Sequence, residues 1–467
     1  MNRWSGLFGM LIALSPMLAL AQEIAPQFDP VFADHAVLQR DRPLRVRGTA
    51  APGQMLTLGI AGISLDTVAN AKGDWTATLP AMAAGGPYRL SATDKAGKSS
   101  AIEDVMVGDV FLCGGQSNMS YLTKYATNAS NQLKTPTDPA IRFATIPISY
   151  SPLKQSKLPE RIQWRIAAPD TLGESSAVCY YMALELKKEK GVTIGFVRSS
   201  LGGTRVESWL SAATLRDVIP QADMAKPPNW QAGPTVLYNG MIAPLGAYSF
   251  KGAVWYQGES NVADPENYRR LLPPMMRDWR QTFADPGLPF VIVQLTAFGP
   301  VATKPVKSDW AELREVQRQV ALDIPKTALV VSIDVGDRSD IHPAQKKIVG
   351  QRVARAKRHL AYSDPVSVGG PRPLTAMRRG DDVVVRFGDT DGGLLTYSSN
   401  QAIGFEICDA ARACRFTEAR AEGDTIVLSG ANRSNPAFVR YAWANSPIVN
   451  LYGKTDNPAI PFEMAIR

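Results

Sequence analysis

The stretch that decides the fold is residues 105–119, VMVGDVFLCGGQSNM, in a chain of 467 residues. Its apolar run from Val105 to Cys113 is typical of a buried strand, and the two glycines that follow permit a tight turn. Ser117 comes directly after the turn and opens a helical segment. A strand that passes through a glycine turn into a helix is typical of an α/β domain, in which such loops bind ligands.

The same alternation of strand-like and helix-like segments continues downstream to about residue 361. Further apolar strand candidates are 192–197, 253–256, 290–295 and 328–333, and helical patterns cover 177–190, 268–283, 310–322 and 343–360. We expect the second of these helices to break at Pro273-Pro274, because proline removes a backbone donor. The alternation predicts an α/β domain at 106–361, built on a parallel sheet flanked by helices.

Strand-like alternation with frequent glycine and proline turns flanks this domain on both sides. It predicts a β-sandwich-like accessory domain at 22–105 and a C-terminal β-rich domain at 362–467. Residues 1–21 combine Arg3, an apolar run and Ala19-Leu20-Ala21, the pattern of a cleavable signal peptide. No cysteine directly follows that cut, so we expect an exported protein, periplasmic or extracellular, without a lipid anchor.

The four cysteines suit an oxidising compartment. Cys408 and Cys414 bracket a turn-like segment between strand-like flanks, and we expect them to form a disulfide. Cys113 and Cys179 lie in apolar surroundings and are expected to be buried free thiols. No cysteine spacing matches a zinc site, so no metal is expected.

The charge balance argues against several partners. Lysine and arginine outnumber aspartate and glutamate by 51 to 43 without a long basic run, so nucleic acid is not an expected partner. No stretch after the leader reaches the length of a membrane span, so no membrane partner is expected. The densest basic segment, within 346–358, is interpreted as a solvated helix face, with attraction to an acidic glycan as the alternative. The oligomeric state stays open.

Candidate catalytic groups follow the strands of the α/β domain. Histidine occurs only at positions 35, 342 and 359, and His342 lies in the segment 340-DIHP-343 between a strand and a helix. Ser117 is the best nucleophile candidate, because its own N–H is free to stabilise an oxyanion. The loops 202–204 and 257–261 follow two further strands and offer a glycine N–H and a side-chain amide.

These blocks resemble those of the SGNH-type hydrolases and, among them, the sialate O-acetylesterase family of carbohydrate esterases. The matching pieces occur in the family's order: 115-GQSNM-119, 202-GGT-204, 237-LYNGMI-242, 255-WYQGESN-261, 313-LREVQ-317 and 340-DIHP-343. The resemblance covers about residues 27–361. It implies a flavodoxin-like sheet and a serine esterase that acts on O-acetylated sugars without a cofactor.

The resemblance also implies roles for individual residues. Ser117 is similar to the family's nucleophile and His342 to its general base. The Ser117 N–H, the Gly203 N–H and the Gln257 side chain would then form the oxyanion hole. Candidates for substrate contact are Gln116, Asn239, Glu259 and Arg314. For Glu259 the favoured role is to organise its own loop. Asn239 and Arg314 either line the pocket or brace it, and the sequence does not distinguish the two roles.

The acid of a catalytic triad is less well defined, because many related enzymes place it three residues before the histidine, where this chain has Ser339. Asp340 is the first choice to orient the imidazole. Asp337 and Asp334 are alternatives, and so is a dyad completed by a backbone carbonyl.

The predicted reaction is a two-step acyl transfer through an acetyl-serine. Candidate substrates are 9-O-acetylated sialic acid and acetylated hemicelluloses such as xylan or xyloglucan. Trp209 and Trp255 could stack on a sugar ring or belong to the core. Two alternatives stay open: a carbohydrate-binding protein with little or no turnover, and a general esterase or lipase of the same fold.

Overall fold

The computed structural model describes residues 25–219 and 233–467. The predicted signal peptide at 1–21 lies outside these residues. Within the described ranges, no helix combines the length and the apolar character needed to cross a bilayer.

The N-terminal region is made of strands that alternate buried and exposed side chains. They are β1 (Gln27–Phe28), β2 (Val37–Gln39), β3 (Leu44–Thr49), β4 (Met55–Ile60), β5 (Ile63–Val68), β6 (Asp74–Leu79), β7 (Gly85–Asp94) and β8 (Ser99–Gly115). One antiparallel sheet has the order β1-β3-β6, and a second pairs β5 with β4, β4 with β7 and β7 with β8. Val46, Leu58 and Trp75 from both sheets share one hydrophobic core, so the two sheets pack face to face.

β8 continues without a break into the central sheet. The other strands there are β9 (Asp138–Thr145), β10 (Trp164–Ala167), β11 (Ile194–Ser200), β12 (Gly252–Tyr256), β13 (Phe290–Val293) and β14 (Thr327–Val330). The order across the sheet is β10-β9-β11-β8-β12-β13-β14, with parallel pairs everywhere except the antiparallel β10. The sheet is therefore mixed rather than wholly parallel, and β9 and β10 extend the predicted set at one edge.

Helices cover both faces of this sheet. They are α1 (Ser117–Ser120), α2 (Ala129–Gln132), α3 (Ala177–Lys190), α4 (Ala212–Val218), α5 (Pro265–Thr282), α6 (Asp309–Asp323) and α7 (Lys346–Tyr362). Short 3₁₀ turns lie at Thr123–Tyr125, Leu172–Glu174, Val206–Trp209, Ala243–Leu245, Glu259–Asn261, Ile333–Val335 and Ala431–Ser434, and one π-turn at Tyr238–Ile242. Side chains of α3 and α7 form one core on one face, and those of α5 and α6 join a second core on the other.

The expected break at Pro273-Pro274 is absent: α5 continues through both prolines. Two backbone donors are lost, yet Tyr268, Leu272 and Trp279 of the same helix are fully buried. Burial of side chains of this size is worth about 1.5–3 kcal/mol each, which offsets the two missing hydrogen bonds.

After residue 371 the described chain contains strands and one 3₁₀ turn. The strands are β15 (Arg372–Arg379), β16 (Asp382–Gly388), β17 (Leu394–Thr396), β18 (Phe405–Cys408), β19 (Cys414–Phe416), β20 (Arg420–Glu422), β21 (Thr425–Leu428), β22 (Phe438–Tyr441), β23 (Leu451–Gly453) and β24 (Phe462–Ala465). They form sheets of order β15-β16-β21-β20, β17-β23 and β19-β18-β22-β24. The β-rich character expected after residue 362 is present.

Two disulfides are present in the described residues. Cys408 and Cys414 join across the β18–β19 hairpin, where they are directly opposite each other. Cys113 and Cys179 also form a disulfide, so the expectation of two free thiols is wrong. Both are buried, and the bond ties the end of β8 to α3. A separation of 66 residues carries no spacing signal, which is why the sequence did not indicate the pair.

Candidate active site

The candidate catalytic loops leave one edge of the central sheet. Ser200 and Tyr256 are the register partners of Gly115, so the strands β11, β8 and β12 end at the same level. At Gly115 an added Cβ would lie 2.1 Å from the carbonyl oxygen of Tyr256. The backbone approach at this turn therefore requires glycine.

Ser117 and His342 meet at this edge. The Oγ of Ser117 lies 2.7 Å from Nε2 of His342, although 225 positions separate them in the chain. The hydroxyl donates to the ring nitrogen when the imidazole is neutral. The helix expected after Ser117 is the single turn α1, so its dipole contributes less than a full helix would. A hydroxyl paired with an unprotonated imidazole is the geometry of an activated nucleophile.

The three candidate acids occupy different places. Oδ1 of Asp340 accepts the backbone N–H of His342 at 2.7 Å but lies 3.9 Å from its Nδ1, beyond hydrogen-bond reach. Asp337 accepts the N–H and the hydroxyl of Ser339, and Asp334 forms a double hydrogen bond with Arg352. Asp340 is therefore the carboxylate beside the imidazole, and its charge opposes the burial that lowers the pKa of His342.

The loop of Gly202 and Gly203 adjoins the nucleophile. Gly202 packs on Ser117, because an added Cβ would lie 3.3 Å from the Cβ of Ser117. Gly203 has φ +71°, and nothing lies within 4 Å of its hypothetical Cβ. Among the described residues, neither the Ser117 N–H nor the Gly203 N–H has an acceptor. Two free donors on adjoining loops suit a developing oxyanion.

The side-chain amide of Gln257 is engaged by neighbouring acceptors. Its side-chain nitrogen donates to the Thr204 carbonyl at 3.1 Å and to Asn261 Oδ1 at 2.8 Å, so both hydrogens have acceptors. The residue is fully buried, and a buried amide is held by whatever acceptors surround it. Gln116 is also buried, and its Oε1 accepts the N–H groups of Gly258 and Ser260 at 3.3 and 3.4 Å.

A buried polar chain under the loops was not predicted. Lys346 donates to Asn118 Oδ1 at 2.5 Å, and Asn118 donates to Glu259 Oε1 at 2.5 Å and to the Ile341 carbonyl at 3.0 Å. Asn118 thus joins the serine loop to the residue before His342. The position of Asn118 directly after Ser117 is a sequence signal that could have indicated its role. No sequence pattern distinguishes Lys346 from the other lysines of its helix.

Burial shifts both charged ends of this chain toward neutrality. Burial lowers the pKa of Lys346 to about 7, although Glu259 opposes the shift. Burial likewise raises the pKa of Glu259, against the hydrogen bond from Asn118 and the charge of Lys346. The expected solvated basic face is therefore wrong: Lys346 and Lys357 are buried, and Lys357 donates to the carbonyls of Ala253 and Pro289.

The other predicted contact residues brace the structure. Asn239 is buried and donates to the Ser151 carbonyl at 3.1 Å. Arg314 is fully buried, and its guanidinium donates to the carbonyls of Thr296, Ala444 and Asn445. Trp209 and Trp255 are also fully buried and contact each other edge to face, so both belong to the core.

The described residues bring potential metal ligands together at Glu406, Cys408 and Cys414. The two sulfurs are joined in a disulfide and are therefore not thiolate ligands.

Comparison with known proteins identifies the family of this chain. Residues 107–359 match the family model described as carbohydrate esterase, sialic acid-specific acetylesterase. A carbohydrate acetylesterase from Xanthomonas citri, of known crystal structure, is 36% identical and has a TM-score of 0.86, over 94% of this chain and 99% of that one. Sialate O-acetylesterase from Mus musculus is 27% identical over 94% of this chain and 93% of its own length. The Homo sapiens protein is 30% identical over 64% of this chain and 63% of its own.

Proposed function

Because this chain belongs to the family of sialic acid-specific acetylesterases and is an ester hydrolase, we propose that it removes O-acetyl groups from sugars with Ser117 as nucleophile. The observation that carries the proposal is the 2.7 Å contact between Ser117 Oγ and His342 Nε2. The Xanthomonas citri relative supports a carbohydrate ester as substrate. No similarity strong enough to carry an argument supports xylan.

The reaction proceeds in two steps at Ser117. His342 takes the hydroxyl proton as Oγ attacks the acetyl carbonyl, and the Ser117 and Gly203 N–H groups hold the oxyanion. His342 then returns the proton to the departing sugar alcohol. Water, deprotonated by the same imidazole, cleaves the acetyl-serine and releases acetate. Gln257 acts as a brace, and Gln116 is the side chain left to contact the substrate.

The catalytic layer is a flavodoxin-like sheet with an added edge. Without β9 and β10, the strands follow the order β11-β8-β12-β13-β14, which in chain order is 2-1-3-4-5. Ligands of such sheets bind where the strand order reverses, between the first and third strands. Ser117 follows the first of these strands and the loop of Gln257 follows the third, which supports a site at this crevice.

The three-part division of the mature chain stays part of the proposal, with an accessory domain at 22–105, the catalytic domain at 106–361 and a β-rich domain at 362–467. Helices α1 to α7 all lie between residues 117 and 362, which supports it, while β8 crosses the first boundary. Export is supported by two disulfides in the described residues, because such bonds persist in oxidising compartments.

Asp340→Asn is expected to lower kcat/KM by about 10-fold. The carboxylate is more than half exposed and lies 3.9 Å from Nδ1, so water screens its charge, and the asparagine oxygen can still accept the His342 N–H. Asp337→Asn, the matched control on the same loop, should change kcat/KM less than 3-fold. A loss near 10,000-fold in Asp340→Asn, as found for buried triad acids, would contradict action through charge alone.

Acyl-chain preference tests the function itself. Hydrolysis of 4-nitrophenyl acetate should exceed that of 4-nitrophenyl octanoate by at least about 100-fold, and acetate should be released from O-acetylated glycans. Equal rates on the two aryl esters would instead indicate a general esterase or lipase. Absence of turnover on every ester would indicate a carbohydrate-binding protein.

A further inference from the structure

A cavity of about 660 Å³ lies between the catalytic layer and the C-terminal β region. Residues 301–303, in the loop after β13, form one wall. The C-terminal region supplies the rest through residues 399, 401–406, 416–418, 442–444 and 447–448. A volume between about 300 and 1,000 Å³ is usual for small-ligand sites. The contacts described above for Ser117 and His342 do not involve this cavity.

The cavity combines an aromatic ring with a buried carboxylate. Glu406 on β18 and Phe416 on β19 are direct antiparallel partners, so their side chains leave the same face of the sheet. Phe416 is 43% exposed, whereas Glu406 is 2% exposed, and its Oε2 has no hydrogen-bond partner among the described residues. The neighbouring Arg440 instead pairs with Glu463 at 2.7 Å. A buried acceptor without a partner is costly unless a ligand satisfies it.

The lining chemistry indicates a neutral sugar. A pyranose has an apolar C–H face, which an aromatic ring can cover, and a rim of hydroxyls that need acceptors and donors. Phe416 and the exposed Ile403 and Ile448 provide apolar surface, and Gln401 and Glu406 provide polar groups. The described lining contains Glu406 and Glu418 but no lysine or arginine, so it disfavours anionic sugars.

Hydrogen bonds connect the wall of the cavity to the loop that carries His342. The Gly299 N–H donates to the Arg338 carbonyl at 3.0 Å, and the Phe298 N–H donates to the Asn445 carbonyl at 3.3 Å. Arg314, fully buried, also donates to the Ala444 and Asn445 carbonyls. By chain geometry these contacts place residue 301 within roughly 30 Å of His342. A glycan chain can bridge that distance, whereas a single sugar cannot occupy both places.

We propose that this cavity is an accessory subsite for a neutral sugar residue of the glycan whose acetyl group is removed at Ser117. The inference rests on the proposed function, because the cavity would bind the polymeric part of the same substrate. Binding here raises the affinity for chains, so the subsite lowers KM for polymeric esters and has no effect on small ones.

Direct binding tests the subsite without turnover. Isothermal titration with deacetylated xyloglucan and glucomannan oligosaccharides should show binding, and Phe416→Ala should weaken it about 10-fold. Phe416→Tyr keeps the ring and should retain binding. Met377→Ala, which removes an exposed apolar side chain of β15 outside the cavity, should change nothing. No binding of either oligosaccharide, equal binding by Phe416→Ala, or tighter binding of sialyllactose would overturn the proposal.

Kinetics separates the subsite from the proposed function. Phe416→Ala should raise KM for O-acetylated glucomannan about 10-fold, with unchanged kcat and unchanged hydrolysis of 4-nitrophenyl acetate. An unchanged KM would overturn the subsite while leaving the esterase intact. If the unmodified enzyme hydrolysed no ester but still bound the oligosaccharides through Phe416, the proposed function would fail and the binding site would stand.

Discussion

Ser117→Ala is expected to lower kcat by about 100,000-fold on 4-nitrophenyl acetate, because the acyl-enzyme can no longer form. What remains is the catalysis that the Ser117 and Gly203 N–H groups provide to water attacking the ester directly. The measurement is steady-state release of 4-nitrophenol, and the pre-steady-state burst of 4-nitrophenol is a second readout. The burst should be present in the unmodified enzyme and absent in the variant.

The matched control for this substitution is Ser120→Ala. Ser120 lies on the same turn, and its hydroxyl contacts Ser200 at 2.7 Å rather than His342. It should retain activity within about 3-fold. Both variants remove at most one partly buried hydrogen bond, worth about 1 kcal/mol, so the thermal unfolding midpoint should move by only about 2 °C. Near-normal turnover by Ser117→Ala would eliminate the assigned nucleophile.

The meeting of Ser117 with His342 could be predicted from the sequence because topology brings them together. Apolar strands alternate with helices, parallel strands end at one edge, and each candidate loop directly follows a strand. The prediction holds although 225 positions separate the two residues, because it depends only on the strand order of the sheet and not on contacts between side chains. It also indicated Gly203, since the glycine pair stands in such a loop.

Side-chain partners inside the molecule could not be predicted in the same way. Gln257 has the residue type of an oxyanion donor, but which acceptors its two hydrogens reach depends on how Thr204 and Asn261 pack around it. Lys346 looks like part of an exposed basic face until α7 is placed against the serine loop. Arg314 looks like a ligand contact, yet two of its three acceptors are carbonyls from the distant C-terminal region.

Local propensity was also overridden in the fold. The proline pair in α5 predicts a break, but the buried side chains on either side hold the helix together. The edge strands β9 and β10 were missed because their residues do not form a continuous apolar run. Strand candidates such as 253–256 corresponded to β12, since a parallel strand buried on both faces is apolar throughout.

His342→Ala is expected to lower kcat/KM about as far as Ser117→Ala does, because the two groups act as one unit. Without the imidazole the hydroxyl keeps its proton at neutral pH, and no group protonates the leaving alcohol. The matched control is His359→Ala, whose exposed ring contacts the Val366 carbonyl at the far end of α7. The control should keep full activity. A double variant of Ser117 and His342 should lose little more than either single one, and additive losses would contradict a shared role.

The pH dependence of kcat/KM should report the same imidazole. Burial lowers the pKa of His342 below its usual value of about 6.5; Asp340 opposes the shift and Lys346 adds to it. A base works in its neutral form, so kcat/KM should rise as pH increases through this lowered pKa and level off before pH 7. Asp340→Asn removes the charge that raises the pKa, so the rise should move to lower pH. In His342→Ala the residual rate should lack this rise. A midpoint above about 7 in the unmodified enzyme would mean that another group, such as Lys346, controls the reaction.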